Sequence, residues 1–314
     1  MDHYNIKKIF QKIDEVKDQG VLNVFLLKYS RKSIGNNRKI NYPENAAIGI
    51  FHGVCEKVKK YACDVFEFQQ LNPVEKVVDT CEWVKISEVE KQWNQITDII
   101  KGDLVATNNI EANEILKSIN FSLIDVDYAG INYKFCTVQS PCEKFFRGKK
   151  MYKNKNGKVS IEEMDGIFLL SEYVDFIVTE DDGSEYVYII NRDNFMSFFD
   201  YDNHLCEKVK TNLGKLKDTG LVSSFDFIES SMNKKYVYRA LAKIIEDDEY
   251  LLQIKKTTSS DFKRRLIENC KEDFTEKDFD EHDKVILNSH NLKVFIKAIS
   301  KQLKYNFFTG KVDE

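Results

Sequence analysis

Residues 173–199 read YVDFIVTEDDGSEYVYIINRDNFMSFF. Tyr173, Asp175, Ile177 and Thr179 alternate with Val174, Phe176 and Val178, a period of two that predicts a strand with one buried face. Asp182-Gly183 predicts a tight hairpin, because a two-residue primed turn needs positive φ at both positions. The return strand is expected over 186–190. Asn191 is placed to cap a following helix, whose apolar face would carry Phe195, Phe198 and Phe199. A lone hairpin is only marginally stable, so this unit is expected to sit inside a larger sheet.

Outward from this stretch, three segments point to a family. They are YVDFIV at 173–178, YVYIINRDNFMSFFDY at 186–201 and LKYNFFTGK at 303–311. Together they resemble the KwaB-like family of the bacterial Kiwa anti-phage defence system, over about residues 119–311. The resemblance implies a DNA-binding domain, a homodimer and a separate KwaA-like membrane protein as partner.

Composition bounds the rest. The chain has 314 residues, 42% of them hydrophobic and 12% aromatic, enough for one large or two medium domains. With 13 Gly and 3 Pro, long linkers are not expected. The net charge of −4 excludes a wholly basic polyanion binder, so any nucleic-acid surface must be a local patch. No run approaches 18 apolar residues and MDHYNIKKIF lacks a signal peptide's apolar core, so a cytoplasmic protein is expected. The resemblance implies that its membrane partner recruits it to the membrane's inner face. The seven scattered Cys, without a C-x-x-C pair, read as reduced core thiols.

Before the hairpin, helices are expected over 4–18 and 45–62, with a strand over 21–29 between them. Arg31, Lys32, Arg38 and Lys39 flank a Gly35-Asn36-Asn37 turn, either a solvated tip or a phosphate contact. A short strand is expected at 65–68 and a β-branched one within 74–86. Ser87 and Glu90 have capping-box spacing for a helix running to about 100. The loop-rich stretch 101–113 is the expected domain boundary. Strands are expected at 121–127 and 132–138, and helices at 202–217, 225–232, 236–245, 261–269 and 291–303, before a terminal strand at 305–308. Strands and helices mix without βαβ alternation, so the class is α+β. An N-terminal helix-and-sheet module (1–105) would precede a mixed or antiparallel sheet domain with C-terminal helices (106–314).

The densest charge is EKFFRGKKMYKNKNGK, residues 143–158. Lys144, Arg147, Lys149, Lys150, Lys153, Lys155 and Lys158 face one acid, Glu143, and Phe145, Phe146 and Tyr152 are interleaved. Asn156-Gly157 predicts a turn, so the cations would line a β-ribbon. Such a ribbon tracks a phosphate backbone while its aromatics stack on bases. It also fits a soluble edge hairpin whose lysines block aggregation. Charge reversal at Lys149, Lys150 and Lys153 is expected to weaken binding to all DNA sequences alike.

Lys235 and Arg239, with Lys234 and Lys243, form a second cationic set, close to one helical face. Lys255, Lys256, Lys263, Arg264 and Arg265 form a third. Acidic runs at 246–249 and 272–283 would suit a partner or solubility.

Catalytic readings find little. The E-x-K spelling of a metal-dependent nuclease occurs only at Glu15-Val16-Lys17, near a predicted helix end, which speaks against it. The five His lack zinc-site spacing. Thr309-Gly310-Lys311 lacks the upstream glycine and following helix of a phosphate loop. No cofactor or metal is expected. The resemblance, taken with the basic segment, implies a non-enzymatic effector that occupies phage double-stranded DNA and obstructs replication or late transcription. An interaction scaffold without DNA binding, and a divergent nuclease, stay open.

Overall fold

A computed structural model describes residues 4–31, 38–41, 44–75, 79–102, 119–138, 149–155, 158–164, 173–303 and 307–308. The contacts divide the chain into two units, 1–71 with 78–199, and 72–77 with 200–314.

The first unit is built on an eight-stranded mixed sheet, in the order β2-β1-β5-β6-β9-β10-β4-β3. Its strands are β1 (Val21–Lys28), β2 (Arg38–Asn41), β3 (Glu67–Gln70), β4 (Thr80–Lys85), β5 (Phe121–Tyr128), β6 (Ile131–Val138), β9 (Phe176–Asp181) and β10 (Ser184–Ile189). All neighbours are antiparallel except β3 and β4. The sheet takes strands from both sides of residue 105, so the expected 1–105 module is not a separate unit. The division falls at 199/200 instead. Stretch 103–118, with most of that expected boundary, lies outside the described residues. The α+β class is as the sequence reading has it.

The central hairpin forms as its turn chemistry requires. Asp182 (φ 50°) and Gly183 (φ 72°) are both left-handed, and β9 and β10 pair from Asp181↔Ser184 to Phe176↔Ile189. Asn191 caps α5 (Arg192–Phe198), its side chain accepting from the Asn194 N–H at 3.2 Å. The expectation of one buried face is corrected, because Phe176–Thr179 are all buried. The α1 (Tyr4–Gln11), α2 (Ile13–Gln19) and α3 (Glu44–Ala62) helices pack Ile6, Ile9, Val16, Phe51, Val54 and Val58 into one core with Val24, Ile124, Phe135, Ile177 and Tyr188. On the other face, Phe195, Phe198 and Phe199 close an aromatic cluster on Phe121 and Phe176, with Phe121 and Phe198 stacked at 4.7 Å. A period of two therefore understated the burial.

Three further expectations change. The helix over 4–18 is two helices broken at Lys12 (φ −115°, ψ 24°). The Ser87/Glu90 capping box is not formed. Ser87 lies in a 3-10 turn (Ile86–Glu88), and α4 (Glu90–Lys101) starts after Val89 without a side-chain cap. Lys39, one of the four cations around 35–37, is only 6% exposed and donates from Nζ to the Ile100 carbonyl at 2.6 Å. It satisfies a carbonyl in the last turn of α4, where a cation also suits the helix dipole. Lys39→Met should lower stability by about 1–3 kcal/mol, because that carbonyl loses its charged donor. The shift of the denaturant midpoint measures this.

The second unit is helical. Its helices are α6 (Tyr201–Lys217), α7 (Asp226–Ser230), α8 (Lys235–Glu246), α9 (Asp248–Lys256), α10 (Ser259–Asn269) and α11 (Leu292–Ile299). Leu205, Val209 and Leu216 are buried on α6, as are Val237, Leu241 and Ile244 on α8 and Phe295 and Ile296 on α11. The sequence reading missed α9, taking its start as an acidic run. Asp247 is its N-cap, accepting from the Tyr250 N–H at 2.8 Å, and Tyr250, Leu251 and Ile254 are buried. That cap followed by i, i+1, i+4 apolar spacing was the available signal. The expected terminal strand is not seen in its described part, where Phe307 and Phe308 lie in a turn and Phe308 stacks on Phe262 at 5.4 Å. The Cys expectation holds for Cys55, Cys81 and Cys136, which are buried, whereas Cys63 is exposed.

Candidate nucleic-acid interface

The basic segment contains a separate two-stranded hairpin, β7 (Lys149–Lys155) with β8 (Lys158–Met164). Lys144, Arg147 and the Asn156-Gly157 turn lie outside the described residues. The pairing runs from Lys155↔Lys158 next to the turn to Lys149↔Met164. Strand alternation then sorts the charges, since directly opposed residues share a face. Lys149, Met151, Lys153 and Lys155 fall on one face with Lys158, Ser160, Glu162 and Met164. Lys150, Tyr152 and Asn154 fall on the other, opposite Glu163, Ile161 and Val159.

This sorting separates what the sequence window lumped together. Four lysines and one glutamate share the first face, whereas Lys150 is opposed by Glu163 on the second. Lys155 and Lys158 are directly opposed, a like-charge pairing that destabilises a ladder. The two glutamates of β8 were invisible to a window ending at Lys158.

Two members of the second cationic set, Arg239 and Lys235, are engaged internally. Arg239 grips Asp202 of α6 through Nε at 2.7 Å and a second guanidinium nitrogen at 2.9 Å. Lys235 reaches the same carboxylate at 3.2 Å. The four-residue spacing that aligns them on one face of α8 also lets both meet one acid. Partial burial pushes the Asp202 carboxyl up, but the hydrogen bonds from Arg239 and Lys235 outweigh it and hold the pKa below its ordinary value.

The third set is similar. Lys263 pairs with Glu276 at 2.8 Å and Asp283 at 2.9 Å. Arg264 pairs with Asp261, Arg265 donates to the Phe307 carbonyl, and Lys255 lies 3.8 Å from Asp218. The acidic stretch 272–283 is partly spent on its own loop, where Asp278 closes a capping box with Thr275 and Asp280 accepts from the N–H groups of His282 and Lys284.

For catalysis, Glu15 accepts from the Tyr128 hydroxyl at 2.5 Å and Lys17 lies 3.5 Å from Glu56, so the E-x-K spelling is held in surface contacts. Among the described residues, no group of three or more His, Cys, Asp and Glu is arranged to hold a metal. No helix among them is long and apolar enough to cross a membrane.

Comparison with known proteins adds one match. The family model described as Kiwa protein KwaB-like covers residues 139–303, which include the basic hairpin, the central hairpin and most of the helical unit. No curated protein and no solved structure matches the chain.

Proposed function

This chain belongs to the Kiwa protein KwaB-like family, and on that premise we propose that, as a component of Kiwa anti-phage defence, it grips phage double-stranded DNA through the basic hairpin. The observation carrying this reading is the gathering of Lys149, Lys153, Lys155 and Lys158 on one face of a two-stranded ribbon. Cations spaced along a ribbon match the repeat of charges on a duplex, and displaced counterions drive the association. Contacts of this kind hold the backbone without reading bases, so binding is largely independent of sequence. The protein acts by occupancy rather than by cutting, works as a homodimer, and is brought to the membrane by a KwaA-like partner.

The internal pairing of Arg239 and Lys235 supports centring the site on the hairpin rather than on α8. Fluorescence anisotropy of a labelled duplex across a salt series tests the reading. With about six cations engaged, log K should fall against log salt with a slope near about −5. A slope near zero removes it. Binding to the membrane partner with no duplex binding at low salt would select the scaffold reading.

A further inference from the structure

Helix α9 reads DEYLLQIKK, with two acids at its start, two lysines at its end and Leu252 at its centre. We propose, resting on the homodimer of the reading above, that α9 packs antiparallel on α9 of a second copy, about a two-fold axis beside Leu252.

Tyr250, Leu251 and Ile254 turn inward and are buried. Glu249, Leu252, Gln253 and Lys256 follow i, i+3, i+4, i+7 spacing, so they form one stripe on the opposite face. All four are exposed, Leu252 by 52%. Asp248 and Lys255 are engaged with Lys215 and Asp218 at the end of α6, at 3.2 and 3.8 Å. Glu249 and Lys256 pair with no charged group among the described residues. A single exposed leucine is ordinary, and a helix dipole favours acids first and lysines last. Neither explains a leucine midway between an unpaired acid and an unpaired lysine on one stripe.

A second copy of the same helix supplies what the stripe lacks. Two-fold symmetry makes the contact isologous, so each residue meets one equally far from the axis on the other side. Glu249 faces the second copy's Lys256, and Lys256 faces its Glu249. Leu252 of each copy meets Leu252 and Gln253 of the other. The two charges lie about 10 Å apart along the helix, and packed helix axes lie about 8–10 Å apart, within reach of both side chains. A parallel arrangement would oppose like charges. A wholly acidic or wholly basic peptide would satisfy one end of the stripe and repel the other. The leucines lose water at the centre while the charges stay at the rim. One short helix buries well under the roughly 800 Å² per partner of a standard interface, so this association is reversible and concentration-dependent.

Sedimentation velocity of the full chain across a concentration series tests this. Glu249→Lys and Lys256→Glu should each raise the dimer Kd about tenfold or more, because one reversal turns two attractive pairs into two repulsive ones. The double variant Glu249→Lys/Lys256→Glu should return to within about threefold of the unaltered chain, since opposite charges face each other again. Equimolar Glu249→Lys and Lys256→Glu chains should associate with each other at least about tenfold more tightly than either does with itself. Leu252→Asp should abolish the dimer.

These side chains are exposed, so the variants keep the fold, which the unfolding transition verifies. A mere loss of helix stability cannot produce this pattern. The double variant opposes the helix dipole at both ends and would then be the weakest of the set. A monomer at every concentration overturns both the surface and the homodimer. A dimer that ignores the charge reversals and Leu252→Asp, or a double variant as weak as the single ones, overturns the surface alone.

Discussion

Reversing the charge at Lys153, Lys155 and Lys158 should weaken duplex binding about 100-fold or more at low salt, and should reduce the salt slope from about −5 to about −3. The three share one face of the β7–β8 ribbon, near its turn. Each reversal removes a phosphate contact and adds a repulsion of the same range, so the effect exceeds that of neutralisation. The loss should be equal across duplex sequences, because phosphate contacts carry no base code. Lys150→Glu is the matched control. It changes the same charge in the same strand, but on the opposite face and opposed by Glu163. Its effect should be several-fold smaller. If Lys150→Glu weakens binding as much as a single reversal at Lys153 or Lys155, the face assignment is wrong and only the net charge of the segment matters. Anisotropy titrations at two salt concentrations separate these outcomes.

Removing Glu82 should destabilise the first unit by about 3–5 kcal/mol, the largest stability effect expected from one polar side chain here. Glu82 on β4 and Arg192 at the start of α5 form an ion pair at 3.0 Å, with side chains only 4% and 9% exposed. Glu82→Leu removes the carboxylate that faces the buried Arg192 guanidinium, so the desolvation of that charge is less well compensated. For a unit of this size the corresponding drop in Tm is roughly 6–20 °C. Adding Arg192→Met should restore much of the loss, since an apolar pair of similar volume costs no charge desolvation. Denaturant unfolding of the two single variants and the double variant checks this as a thermodynamic cycle. Purely additive losses would mean that the two side chains act independently. Duplex binding by the folded double variant should match that of the unaltered chain, because Arg192 is held inside the fold.

Arg192 shows how differently a motif and a contact are read. In the run NRDNFMSFF it stands among the residues that carry the family resemblance, and as a cation it invites a role toward DNA. Its partner is 110 residues away in the chain, so no local pattern could reveal that it is spent on Glu82. The same holds for Lys39, whose acceptor is 61 residues away, and for Arg239, whose partner Asp202 is 37 residues away. The cationic count of a segment was legible, but its availability was not.

The Asp182-Gly183 turn, the Asn191 cap, the helix over residues 44–62 and the α+β class followed directly from residue order. Positive φ, side-chain capping and apolar period involve neighbours within a few positions, and these act on the chain whatever surrounds it. The union of eight strands drawn from residues 21–189 into one sheet, the burial of β9 on both faces and the sorting of the 149–158 lysines between the two ribbon faces came only with folding. Those properties belong to pairings between segments tens to more than a hundred residues apart. Partners at that range are selected by the packing of the whole unit, where burial raises the cost of every unmatched charge.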